Sequence, residues 1–233
     1  MEIDTIKNLA KAGDANGQFI LGIFLENGYL LDKDEQAAAQ WYEKSASQGY
    51  APAQHALSQL LWAGRGITKN QALAYEYCHS AADKGYLPAQ LDIAVSFEQG
   101  IGIEADQKKC LEWINKAVGK NYNPAITYLA LKYAEGLGVE KNIEQAEILY
   151  RRAAENGDAE GAFHFALICL ESENQTDIKK GLQWLNFSAS KNYSFAHRKL
   201  SIIYKDGLYG VSSNQQKSYD HLTTAEQLEN KSS

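Results

Sequence analysis

The sequence predicts an all-α chain built as an array of six helix pairs. Three observations predict it. The 36 residues from Tyr50 to Gly85 are repeated from Tyr86 to Asn121 and again from Tyr122 to Gly157, and a fixed period of this size marks a helical repeat array. The protein's three prolines, Pro52, Pro88 and Pro124, fall at one phase of that period. The residues that close successive units, Gly49, Gly85, Asn121, Gly157 and Asn192, are only Gly and Asn, the two residues that best tolerate a left-handed C-cap.

Taken in order, the chain opens on residues 1–13, which predict an N-terminal capping helix: IKNLAKAGD at 6–14 matches LYRRAAENGD at 149–158, the end of a unit's second helix, and terminal repeats must cap the array. Six units follow, 14–49, 50–85, 86–121, 122–157, 158–192 and 193–229, with 230–233 a tail expected to fray. No low-complexity linker interrupts them, so residues 1–233 read as a single repeat domain. In the second unit Leu57, Leu60 and Leu61 recur at helical spacing, and Pro52 suits a first helical turn. The first helix of the pair, helix A, is therefore placed over 52–62. Gly64 and Gly66 break it, Ile67 plugs the turn, and Asn70 N-caps helix B, which runs to Gly85. The first unit has Gly28 but no second turn glycine, since Tyr29, Leu30 and Leu31 follow. The fifth unit's turn, ESENQTD, has lost both glycines and the plug, and the unit is one residue short; an irregular, mobile, protruding turn over Ser172–Asp177 is expected. The sixth unit's turn, GLYGV at 207–211, is one residue longer, with helix B over 214–229.

Small residues at fixed phases predict close helix packing. Helix A carries Gly22, Ser58, Ala94, Ala130, Ala166 and Ser201; helix B carries Ala38, Ala74, Cys110, Ala146, Gly181 and Ser218, and a second row of Ser45, Ala81, Ala117, Ala153, Ser188 and Ala225. The helix B aromatics Trp41, Tyr77, Trp113 and Trp184 read as core.

Net charge is −6 and no basic stripe stands out, so nucleic acid is not an expected partner. Apolar runs are far too short to span a membrane. The N-terminus, with Glu2 and Asp4 and no apolar core, does not read as a signal peptide. Cys78, Cys110 and Cys169 are odd in number, and two of them occupy helical packing phases, so they read as reduced core thiols in a cytoplasmic protein. The histidines form no H-E-x-x-H and the cysteines no C-x-x-C, so neither metal nor cofactor is expected.

The pattern carried by Ala125, Leu129, Tyr133, Gly136, Gly138, Val139, Ala146, Ala153, Ala154 and Gly157 resembles the Sel-one-like repeat family, a relative of the tetratricopeptide repeat, over nearly the whole chain. The resemblance implies a right-handed superhelix of antiparallel helix pairs and a non-catalytic role as adaptor or scaffold. Bacterial members include host-interaction factors and immunity partners of toxic effectors. In arrays of this kind helix A lines the concave face. That implies a groove for a protein or peptide, basic for preference, formed by Phe19, Ile23, His55, Gln59, Trp62, Leu91, Val95, Glu98, Thr127, Leu131, Glu135, Phe163, Leu167, Leu170, Arg198 and Ile202, with Glu26 and Glu171 beside it. Trp62 is the expected anchor, because aromatic side chains dominate interface energies. The alternative reading of these side chains is packing between units. One motif speaks for an enzyme: Ser188-Ala189-Ser190-Lys191 matches S-x-x-K, the signature of β-lactam-recognising hydrolases. The companion S-D-N and K-T-G motifs are missing, and Ser188 stands at a packing phase. Homo-oligomerisation is not readable from the sequence.

Overall fold

A computed structural model describes residues 3–232; Met1, Glu2 and Ser233, which the sequence reading assigns to the cap and the tail, lie outside the described residues. Among those residues there are thirteen helices and no strand. The chain divides after Tyr122 into two compact units. The first holds α1 (Ile3–Lys11), α2 (Ala15–Asn27), α3 (Glu35–Ser47), α4 (Ala51–Ala63), α5 (Gln71–Asp83), α6 (Leu87–Gln99) and α7 (Gln107–Gly119). The second holds α8 (Asn123–Glu135), α9 (Ile143–Glu155), α10 (Ala159–Leu170), α11 (Gln175–Ser190), α12 (Ser194–Asp206) and α13 (Gln215–Ser232).

The ends of the helices follow from local chemistry. Every helix B begins on Asp or Asn whose side chain accepts a first-turn amide: Asp34 from Ala37 (2.9 Å), Asn70 from Leu73 (3.1 Å), Asp106 from Lys109 (3.1 Å), Asn142 from Gln145 (3.0 Å), Asn174 from Thr176 (2.8 Å) and Asn214 from Lys217 (2.9 Å). Such caps satisfy amides that the helix itself leaves unpaired. At the other end Asn121 and Asn192 adopt φ of 58° and 61°, beside 81°, 84° and 87° at Gly49, Gly85 and Gly157, as the closing phase predicts.

All three small-residue rows are buried, and at Gly22 a Cβ would stand 2.5 Å from the Tyr42 ring. Serines in these rows donate inward, Ser45 Oγ to the Ala15 carbonyl at 2.7 Å and Ser188 Oγ to the Ala159 carbonyl at 2.6 Å. A further repeated bond ties four of the six A helices to the helix before them. Gln18, Gln54 and Gln90 donate Nε2 to the carbonyls of Ala10, Ala46 and Ala82 at 3.2–3.4 Å. His197, at the same phase, reaches Ala189 O with its Nε2 at 3.0 Å.

The turn between the paired helices takes a common form in the second, third and fourth repeats, with φ of 65°, 71° and 71° at Gly66, Gly102 and Gly138. In the second repeat Gly66 has φ 65°, and a Cβ there would lie 2.1 Å from the Glu35 carbonyl oxygen at the start of α3. In the first repeat Leu30 occupies the equivalent conformation, φ 57°, with its side chain 75% exposed. The turn of the fifth repeat corrects an expectation, for it has no protruding loop. Its connection is a tight, hydrogen-bonded turn in which Ser172 Oγ donates to Asp177 Oδ2 (3.1 Å) and accepts from the Asn174 amide (3.1 Å). Residues 175–177, expected in the loop, form the first turn of α11, which has 16 residues where α9 has 13. Without glycines to break it, the segment continues as helix. At the C-terminal end α13 runs through Asn230 and Lys231 to Ser232, beyond the expected helix end at Glu229, since no Gly or Asn stands at its closing phase.

Candidate functional site

In the first unit, residues expected on the helix A face gather at a cleft of about 460 Å³ lined by α4, α5 and α6. Gln59 and Trp62 come from α4, and Val95 from α6. Trp62 also packs on the core cluster around Tyr42, Leu57 and Leu61. Lining residues that the sequence does not single out include Arg65, Tyr75 and Asp92. Asp92 had a legible signal, since its phase carries Ile20, Ala56 and Tyr128 in the other early repeats. The Cys78 thiol is buried and pushed up to about 12 by that burial and then by Asp92, so it is a packing thiol and not a nucleophile.

His55 is buried and does not line the surface; its Nε2 lies 2.8 Å from Asp92 Oδ2 and its ring packs on Tyr86 at 5.3 Å. Phe19 is half-buried against Tyr42 and, edge-on, against Tyr50. Ile23, Leu91 and Glu98 are likewise half-buried. Glu26 is more than a solvated charge: it accepts from the Tyr42 hydroxyl at 2.7 Å and from Arg65 at 2.9 Å. Burial, with Glu26 adding to it, holds the Tyr42 hydroxyl far above the usual phenol range.

The second unit presents a different face. Leu131 on α8 and Phe195 and Ile202 on α12 are exposed, the last two at 56% and 48%. Phe163 packs on the core around Ala166 and Leu200, with Tyr193 at 5.4 Å, Phe195 at 6.4 Å and His164 at 5.2 Å; His164 in turn stacks on Tyr150 at 4.8 Å. Burial, followed by the Glu160 carboxylate, pushes the Tyr150 and Tyr193 hydroxyls up to about 12. Leu167 is half-buried, and Glu135 and Glu171 are exposed. Arg198 is held by Glu229 through a two-bond fork, Nε to Oε1 at 2.8 Å and a shorter second bond. Two groove assignments are corrected here. Thr127 is buried, its hydroxyl donating to Asp158 at 3.2 Å, and Leu170 belongs to the core cluster with Ala166, Leu185 and Leu200. Both side chains hold the fold together and are not free to meet a partner.

The hydrolase alternative finds no site. Ser188 is fully buried with its hydroxyl committed to the Ala159 carbonyl, and Lys191 lies over the Phe187 ring at 5.5 Å. Among the described residues no group of three His, Cys, Asp or Glu side chains could hold a metal ion, and no helix is long and apolar enough to cross a membrane.

No curated protein shows significant similarity to this sequence. Among solved structures, a Sel1 repeat protein from Oxalobacter formigenes matches with a TM-score of 0.80 and 28% identity, over 96% of both chains. Two immunity proteins of Pseudomonas aeruginosa match with TM-scores of 0.67 and 0.65 at 17% and 18% identity, over 92% of this chain and 81% of theirs. A family model for the Sel1 repeat matches residues 15–50, 51–86, 87–122, 123–158, 172–193 and 194–230. The fifth match omits α10, in the repeat whose turn is altered, and the first four agree in phase with the observed helix pairs to within a residue. With six matches spread over most of its length, and with the helix pairs those matches require, this chain belongs to the Sel1 repeat family.

Proposed function

We propose that this protein is a non-catalytic scaffold that binds another protein or an extended peptide along the exposed side of its helix A series. Sel1 repeats generally mediate protein–protein interaction, which supports the class of function. The observation that carries it to this chain is the exposure of Leu131, Phe195 and Ile202, all on helix A elements of the second unit. Large apolar side chains grouped on one face are a common mark of a protein contact. The net charge of −6 favours a basic partner, whose encounter would be steered by charge and slowed by added salt.

A narrower form makes it a cytoplasmic immunity or adaptor partner of a toxic effector. It is supported by the fold shared with the two Pseudomonas immunity proteins, which is an argument by analogy. The test of the broad form is capture from native lysate by the wild type and by a Leu131→Glu, Ile202→Glu variant. Both side chains are already exposed, so melting temperature should hold. A partner retained by wild type and lost by the variant is expected; equal capture by both would remove the second-unit face from the reading. Growth rescue against toxins encoded beside the gene tests the narrow form, and absence of rescue would remove it.

A further inference from the structure

The repeat period separates side chains that packing demands from those it does not. At the phase of Asp92 stand Ile20, Ala56, Tyr128, His164 and Lys199; at the phase of Trp62 stand Glu26, Glu98, Ala134, Leu170 and Lys205; at the phase of His55 stand Phe19, Leu91, Thr127, Phe163 and Arg198. The second and third repeats thus carry an ionisable pair where the others carry no acid, and an indole where neighbours carry a carboxylate. Departures from a local rule concentrate at functional sites. These three residues meet at one place. Trp62 and Asp92 line the cleft of the first unit, and His55 behind them fixes Asp92 Oδ2 at 2.8 Å while the Asp92 side chain stays 46% exposed.

We infer that this cleft receives the guanidinium of an arginine side chain presented by a partner chain. The inference rests on the reading of the helix A series as a partner-binding face, and it names the chemistry that one part of that face selects. An aromatic face and a carboxylate held in position are the two groups a guanidinium uses together: it stacks as a planar, weakly hydrated cation and donates charge-assisted hydrogen bonds. Tyr75, Val95 and Ile101 supply apolar wall for the methylene stem. Arg65, which also lines the cleft, is already engaged by Glu26 at 2.9 Å and Glu35 at 3.5 Å. Lys69 Nζ stands 5.8 Å from the Trp62 ring centroid, so a cation already sits near the indole from within the chain. A guanidinium, with both the ring and Asp92 to bind, has the stronger claim on it.

The experiment titrates the full chain with a labelled, end-blocked Gly/Ser peptide carrying one arginine, and with counterparts carrying citrulline or leucine there. The arginine peptide should bind at least tenfold more tightly than either counterpart. Asp92→Asn, which keeps the shape, should lower its affinity at least tenfold without changing the far-UV spectrum or melting temperature, and Trp62→Leu should lower the affinity likewise with the far-UV spectrum retained, at a cost in melting temperature because the ring also packs on the core. The Leu131→Glu, Ile202→Glu variant should bind the arginine peptide like wild type, which separates failure of this cleft from failure of the second-unit face. Equal binding of the citrulline or leucine peptide would overturn the inference, as would an Asp92→Asn protein that binds undiminished. Free L-arginine competing as well as the peptide would assign the cleft to a small molecule and overturn the partner-chain source.

Discussion

Gly66→Ala should destabilise the first unit by roughly 2–5 kcal/mol, and the structure separates that cost into two parts. Its φ of 65° puts the new side chain in the left-handed region, worth about 1–2 kcal/mol for a residue with a Cβ. The Cβ would also stand 2.1 Å from the Glu35 carbonyl oxygen, a backbone atom that cannot swing aside. Relieving such overpacking shifts the turn away from α3 and costs about 1–3 kcal/mol. Gly85→Ala is the matched control: φ there is 84°, but nothing lies within 4 Å of the added carbon, so only the conformational part applies. Leu30→Gly is the converse. It relieves about 1–2 kcal/mol of backbone strain against a loss of about 0.4–1 kcal/mol from the freer unfolded chain, for a small net gain. Urea unfolding followed by tryptophan fluorescence measures all three. Because arrays need not unfold in one step, amide hydrogen exchange across α3–α5 should accompany it. Equal losses for Gly66→Ala and Gly85→Ala, to within about 0.5 kcal/mol, would refute the idea that close approach to α3 selects this glycine.

Stability should also fall on acidification. Burial lowers the pKa of His164 and of His221, the latter lowered further by neighbouring His197 and Lys217 against the opposing charge of Asp220. Below their ordinary value of about 6.5 the unfolded chain binds protons that the folded chain resists, so stability rises with pH through that window and is lost as pH falls towards the depressed folded values. Melting at pH 7.5 and 5.5 should show the loss in wild type and a smaller one in a His164→Gln, His221→Gln variant; a pH-independent difference between the two would count against it. Ser188→Ala should cost about 1 kcal/mol in urea unfolding through the lost bond to Ala159, and Ser188 should resist acylation by a reactive β-lactam; labelling of Ser188 would revive the hydrolase reading.

The parts of the fold that were legible in the sequence are those that each repeat must solve again. Only Gly or Asn can close a unit at positive φ, so Gly49 and Asn192 betray the period. Only small side chains fit where Gly22 meets Tyr42. The fifth turn departs from the expectation because loss of glycine is not loss of order: for Gln175–Asp177 it is continuation of a helix. The binding face was only partly legible for a related reason. Helix A periodicity marks which side chains share a direction, but not which of them a neighbouring helix covers. Thr127 and Leu170 share the phase or the face of exposed residues and yet are buried. Asp92 lies one step off the row of Leu91 and Val95, and only its charge, at a phase without other acids, sets it apart in the sequence.

The pairing of helices has a consequence for how the chain is made. Within each unit the helices pack mainly on their neighbours in sequence, with lesser contacts such as α10 against α8 and His55 of α4 against Asp92 of α6. Contacts of short sequence separation give fast folding, because little chain must be closed before a contact forms. A helix emerging during synthesis therefore finds its partner in the segment just made and does not wait for a distant one. Aggregation-prone apolar faces, such as that of α4 before α5 is complete, stay uncovered only for the time needed to add one more helix.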